Sequence, residues 1–370
     1  MAGNSIGKAF VVTCFGESHG KCIGVVIEGC PPGLPLSEQD IQIELDKRKP
    51  ATSSISTQRI EEDKAEILSG VFNGYTTGAP ICIVVWNKNI DSEPYELVKE
   101  KPRPGHADYT AHLRYDGFND YRGGGRFSGR ITVAYVMAGA VAKKLLKTLN
   151  VEILAHTVQI GSIKVSKKIS YEEIRNNVYK NDVRCADLHM AALMVEEILK
   201  VKRDGDSLGG IVECIALNYP AGIGDPIFDS LDADIAKIMF DIPGVKGVEI
   251  GAGFTAASMK GSENNDAYII KGGAVLTETN NCGGILGGLS NGMPIKARIA
   301  LKPTPSIRKK QKTINLKHMQ ETELTLSGKF DPCIVSRAVP VVEACMATVL
   351  ADHALRLGKI PQTKAYCDKL

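Results

Sequence analysis

The chain reads as α+β, with antiparallel sheets inside and helices outside. Three observations lead there. Strand-like and helix-like segments are interspersed but never settle into strict β-α-β alternation. No G-x-G-x-x-G follows a strand, so a dinucleotide-binding parallel sheet fails its context test. The 370 residues also run on without a clear linker, a low-complexity segment or a short-period repeat, which favours one domain over 1–370.

The elements follow in order. VVTCF and GVVIEGC are apolar, β-branched runs and read as strands around the turn Gly16-Glu17-Ser18-His19-Gly20. Ser37 to Lys49 reads as a helix, with Ser37 as N-cap and Pro50 beyond its end. AEILSG and ICIVVW are strand-like. Ile131 to Leu149 is a long helix with small residues on one face, suited to close packing. VEILAHTVQIGSIKV predicts a long strand or a bent pair. Asp187–Lys202 and Asp229–Phe240 read as helices; IVECIALN, VKGVEIGAGF and KARIAL as strands; and Pro340 to Leu357 as the last long helix.

Composition narrows the function classes. Apolar residues make up 44% and charged residues 24%, as in ordinary globular proteins. A net charge of +3 does not call for a nucleic-acid partner, and none is expected. No apolar run reaches the ~20 residues of a membrane span, so no membrane partner is expected. MAGNSIGKAF lacks the apolar core of a signal peptide. The ten cysteines show no C-x-x-C pair, and most sit in apolar runs. That pattern predicts free thiols in a reducing cytoplasm, with neither a disulfide framework nor a metal site.

The most informative stretch is 103–130, RPGHADYTAHLRYDGFNDYRGGGRFSGR, with five arginines, two histidines and six glycines. Arginine presents a planar fork that binds carboxylate or phosphate two-handed. Glycine lets backbone N–H groups approach an anion, and a helix N-terminus follows. The combination predicts a pocket for a small polyanion, and the histidines add proton transfer. A basic surface loop is the bland alternative, but such a loop more typically mixes in Lys, Ser and Glu.

Four other segments carry polar residues in suggestive settings. Ser18-His19 between glycines exposes two proton-carrying groups on a tight turn. Lys47-Arg48-Lys49, with Arg59 beyond, reads most simply as charge compensation at a helix C-terminus. GGILGG at 283–288, then Lys302-Pro303-Thr304-Pro305-Ser306, could cradle a phosphate or a ring edge, although the order is not that of a P-loop. Lys329-Phe330-Asp331-Pro332-Cys333 with Arg337 precedes the last helix; a lone Asp before Pro is usually a turn residue.

In this order the segments are similar, from end to end, to the chorismate synthase family. The matching stretches are FGESHG, PPGLPL, DKRKP, ILSGVFNGYTTGAPI, RPGHADYT, DYRGGGRFSGR, VKGVEIGAGF, GGILGGLSNG, KPTPSI and FDPCIVSRAVPVVEA. The resemblance implies a single-domain β-α-β sandwich and a homotetramer. It implies 1,4-elimination of phosphate from 5-enolpyruvylshikimate-3-phosphate, with reduced FMN required and NADPH a possible flavin reductant. It assigns His19, with Ser18, as the acid facing the departing phosphate, His106 beside the flavin, and Asp331 where the substrate hydrogen leaves. Arg48, Arg59, Arg103, Arg130 and Lys329 become substrate contacts. Arg126, Phe127, Ser128, Pro243, Gly244, Gly287, Lys302, Pro303, Thr304, Pro305, Ser306 and Lys329 become flavin contacts. The chain departs from many relatives at Ser54, Phe127, Lys329 and Phe330. Two other classes compete: a catalytically silent flavin- or anion-binding relative, and a phosphoryl transferase, which would need a Walker-type lysine and metal carboxylates that the sequence does not show.

Overall fold

A computed structural model of the chain describes residues 3–49, 55, 63–88, 91–328 and 330–361. Arg59 and Lys329, expected as anion contacts, lie outside the described residues, as does Ser54.

Ten strands form two five-stranded sheets. β1 (Ser5–Ile6), β2 (Val11–Gly16), β3 (Cys22–Glu28), β4 (Ala65–Ser69) and β5 (Ile81–Trp86) pair in the order β1-β2-β3-β5-β4. β6 (Glu152–Ile160), β7 (Ile163–Lys164), β8 (Gly210–Leu217), β9 (Val245–Ile250) and β10 (Ile295–Leu301) pair in the order β9-β10-β8-β6-β7. Every ladder in both sheets is antiparallel, so the α+β expectation holds. The segment at 151–165 resolves into the bent pair: Gly161, at φ +54°, turns β6 back onto β7.

The order of layers corrects the expectation. Three helices matter most: α1 (Glu38–Arg48), α2 (Thr132–Lys147) and α3 (Val335–Arg356). α2 and α3 pack on each other; α2 also covers β3, and α3 covers β6 and β8. The helices are therefore inside and the sheets flank them. The reason lies in the side chains. α2 buries residues on nearly all sides, and α3 is buried along almost its whole length. A helix apolar all round must be covered on both sides. The strand β10 is one-faced instead: Ile295, Ala297, Ile299 and Leu301 are buried and alternate with half-exposed Lys296, Arg298 and Ala300. One contiguous apolar cluster joins both sheets to the helices.

The α2–α3 contact depends on Gly139, where a Cβ would stand 2.3 Å from Ala344 Cβ. α3 starts at Val335, earlier than expected from Pro340, which sits inside it. So near the helix start the proline removes only one backbone hydrogen bond. By length and composition α3 also qualifies as a membrane span, which the reading of apolar runs did not anticipate; its wholly buried apolar stretch makes it the central core helix. Ser37 caps α1 as predicted, in a reciprocal box with Asp40.

Candidate active site

The turn that closes the β2–β3 hairpin carries Ser18 and His19, both almost fully buried. Next to it run three consecutive glycines, Gly123, Gly124 and Gly125, at φ +59°, +83° and +52°. A Cβ on Gly123 would lie 2.5 Å from His19 Nε2 and 2.7 Å from Ser18 Oγ. A Cβ on Gly124 would lie 3.2 Å from the His106 ring. Gly125 carbonyl accepts from Ser18 N at 3.2 Å. The glycine run thus threads backbone between the two histidines, where no side chain would fit. His19 Nδ1 lies 2.9 Å from Ser92 Oγ, and Tyr95 meets the ring edge-on at 5.2 Å.

The arginines form a second group. Arg48, the last residue of α1, is buried; its Nη1 donates to Asp63 Oδ2 at 3.2 Å, and its Nε to Thr132 Oγ1 at 3.0 Å. Arg130 donates to the other oxygen of the same carboxylate, Nη1 to Oδ1 at 2.9 Å. The flanking Lys47 and Lys49 pair instead with Glu44 and Asp46, one turn back on α1. Helix-end compensation therefore describes the lysines, while Arg48 turns inward.

A third group surrounds His106. Its Nδ1 lies 2.6 Å from Asp108 Oδ1. Arg103 grips the same carboxylate two-handed, Nε to Oδ2 at 2.7 Å and Nη2 to Oδ1 at 2.8 Å, and reaches Ser306 Oγ at 3.1 Å. Burial pushes the His106 pKa below 6.5; the hydrogen bond to Asp108 works against this, and the charges of Arg103 and Lys302 reinforce it. The lowered pKa favours the neutral ring at pH 7, and the short contact to Asp108 favours the tautomer with its hydrogen on Nδ1. Burial alone would raise the Asp108 pKa, but hydrogen bonds from Arg103 and His106 hold it well below the usual carboxylate range.

The segment after β10 links this group to Asp331. Lys302 Nζ donates to Gly105 carbonyl, and Thr304 Oγ1 donates to Asp331 carbonyl at 3.0 Å. The Asp331 carboxylate is held by Arg337 at 2.8 Å. Gly244 carbonyl accepts from Lys302 N at 2.9 Å, which brings Pro243-Gly244 against the same segment.

Other expected residues stand elsewhere. Arg126 donates to the Gly16 and Cys14 backbone carbonyls and to the Asn4 side-chain oxygen. Ser128 caps the short helical turn that begins at Gly129, and Phe127 is partly exposed. Gly287 turns a small hairpin at the opposite end of β10 from Lys302, so a seven-residue strand, about 20 Å long, separates it from this cluster. Sequence reasoning missed Asp63, Asn87, Ser92, Tyr95 and Asp108. Only Asp108 carried a local signal, two residues after His106.

Comparison with known proteins fits this arrangement. A family model described as chorismate synthase matches residues 10–355. The chain belongs to the chorismate synthase family. It is 55% identical over 359 residues to a chorismate synthase of Dehalococcoides mccartyi, covering 97% of this chain and 98% of that one. It is 52% identical to one from Methanosarcina barkeri, over 98% and 99% of the two chains. A crystal structure of chorismate synthase superposes with a TM-score of 0.75 at 32% identity, over 95% of this chain and 93% of that one.

Chorismate synthases act with reduced FMN, and the residues around His106 fit a phosphorylated flavin. Lys302 has its pKa lowered by partial burial and by the neighbouring charge of Lys246. Like charges gathered beside Gly105 and the buried Arg103 suit a bound phosphate. The neutral His106 offers a ring that can face a flavin without adding charge.

Proposed function

We propose that this chain converts 5-enolpyruvylshikimate-3-phosphate to chorismate and phosphate, as a lyase of aromatic amino acid biosynthesis. The observation that carries this reading is the glycine run that seats His19 and His106 on neighbouring backbone positions, beside buried arginines. Two bonds of the substrate break, C–H and C–O to phosphate, at the carbons flanking the two ends of an existing double bond. That double bond shifts, the product gains one double bond, the C–O electron pair leaves with the phosphate, and the hydrogen departs overall as a proton. Bound reduced FMN supplies an electron-rich ring against which this occurs with no net redox change.

His19 gives a proton to the departing phosphate, and Ser92 sets the orientation of its ring. Ser18, on the same turn, lies beside the leaving group. Arg48 and Arg130 hold substrate anionic groups, preset by Asp63. Arg103 contributes positive charge and, through Asp108, fixes His106. Asp331, oriented by Arg337, faces the carbon that loses hydrogen. Pro243, Gly244 and Lys302 to Ser306 border the flavin, whereas Arg126, held by Gly16, Cys14 and Asn4, steadies the end of β2 that leads into the His19 turn.

We assign the chain to the cytoplasm and to a homotetramer. Ile227 and Phe228 are 74% and 93% exposed on a loop next to the Gly287 hairpin, an apolar tip that a second copy would cover. Light scattering that gives a monomer mass would end the assembly assignment.

The test of function is an anaerobic assay of 5-enolpyruvylshikimate-3-phosphate with photoreduced FMN, following phosphate release and chorismate together. No turnover by folded, flavin-bound protein would leave only a silent flavin-binding relative. An aerobic assay with NADPH in place of photoreduction decides whether NADPH serves as the reductant here.

A further inference from the structure

We propose that Asn87 is a positioning residue that couples Arg130 to the turn carrying His19, so that the anion-binding and proton-donating halves of the site move as one. This rests on the reading of His19 as the acid. Asn87 follows β5, and its backbone N–H donates to Lys21 carbonyl at 3.0 Å, one step past the Cys22–Trp86 pair of the β3–β5 ladder. That bond extends the sheet to the end of the His19 turn. The side chain then acts in two directions. Its Oδ1 accepts from Arg130 Nε at 2.8 Å. Its Nδ2 donates to Glu17 carbonyl at 3.1 Å and to Gly20 carbonyl at 2.9 Å, the two residues that bracket Ser18 and His19.

Both amide hydrogens are used on one side and the oxygen on the other. The reverse orientation would set an amide donor against the Arg130 N–H and an oxygen against two carbonyls, so the network allows one orientation. A continuous polar chain results: Arg48 and Arg130 share Asp63, Arg130 meets Asn87, and Asn87 grips the turn. Substrate drawn onto Arg130 therefore loads the turn that must deliver the proton.

The aspartate variant separates the two directions. In Asn87→Asp the acceptor for Arg130 is kept, while the donors to the turn become an oxygen that repels both carbonyls. Displacing a catalytic group slightly costs about 10–100-fold in rate. With reduced FMN bound, Asn87→Asp should therefore lower kcat about 10–100-fold and leave the substrate KM within about threefold. Asn87→Ala, which adds no charge and carries the test if the aspartate variant does not fold, should lower kcat and raise KM together. In a His19→Ala background, Asn87→Asp should cost nothing further, because Asn87 acts through the histidine. Wild-type kcat in Asn87→Asp, a change confined to KM, or losses that multiply in the double variant would overturn the coupling. Full turnover by His19→Ala alone would instead overturn the assignment of the acid.

Discussion

The two halves of the site hold their charges in opposite ways. Around Asp63, two guanidinium groups share one fully buried carboxylate, and its charge is matched before any ligand arrives. Around Lys302, Arg103 has its own carboxylate in Asp108, but Lys302 donates to a backbone carbonyl, and partial burial together with the neighbouring Lys246 lowers its pKa. The first half is part of the folded framework and presents its arginines already oriented. The second holds positive charge that an incoming phosphate completes. A buried carboxylate is costly to strip of its partners, whereas a repelling cation costs little to remove.

The sharpest effect lies at the proton-donating end of the framework half. His19→Ala should lower turnover by about 10²–10⁴ while FMN still binds, since an acid acts mainly in the transition state. Loss of flavin binding by a folded variant would move His19 out of this half of the comparison. Asp63→Asn should be costly to the fold itself. It leaves the buried Arg48 and the partly buried Arg130 without their carboxylate, at roughly 3–5 kcal/mol, measured by denaturant unfolding. Lys302→Met should show the reverse pattern, with stability nearly unchanged and FMN affinity weaker by about ten- to a hundredfold, the value of a charge-assisted hydrogen bond. Calorimetric titration gives the affinity. If both variants lose stability equally, the contrast between the halves is wrong.

The smallest effect is a pH dependence from His106. Its folded-state pKa lies below 6.5, so below that pH the unfolded chain binds the proton more readily than the native state. Stability should fall as pH drops from about 6.5 toward the folded pKa, with no contribution from this group above that window. His106→Gln should flatten that part of the stability curve. Asp108, whose pKa is depressed, adds its own loss only at lower pH, as it approaches protonation. A slope unchanged by His106→Gln would place the titration elsewhere.

Much of this architecture could be read from local pattern. The cap at Ser37, the breadth of the apolar surface on α2 and the alternation along β10 each show within a turn or a few residues. The concentration of arginine, histidine and consecutive glycines at 103–130 was equally visible, and it is the reason the proposed site is placed there. What the sequence by itself determined was therefore the residue types, the positions of the helices and strands, and the family. Tertiary structure alone decided which side of each element faces what. It put α2 and α3 between the sheets, where Gly139 meets a residue 205 positions away (344 less 139). It turned Arg48 inward while Lys47 and Lys49 stayed with their own helix. It chose Asp63, Asn87 and Asp108 as partners and set Gly287 a strand's length from Lys302. The physical reason is range: capping and periodicity act within one turn, whereas a buried charge selects its partner only once distant segments have packed around it.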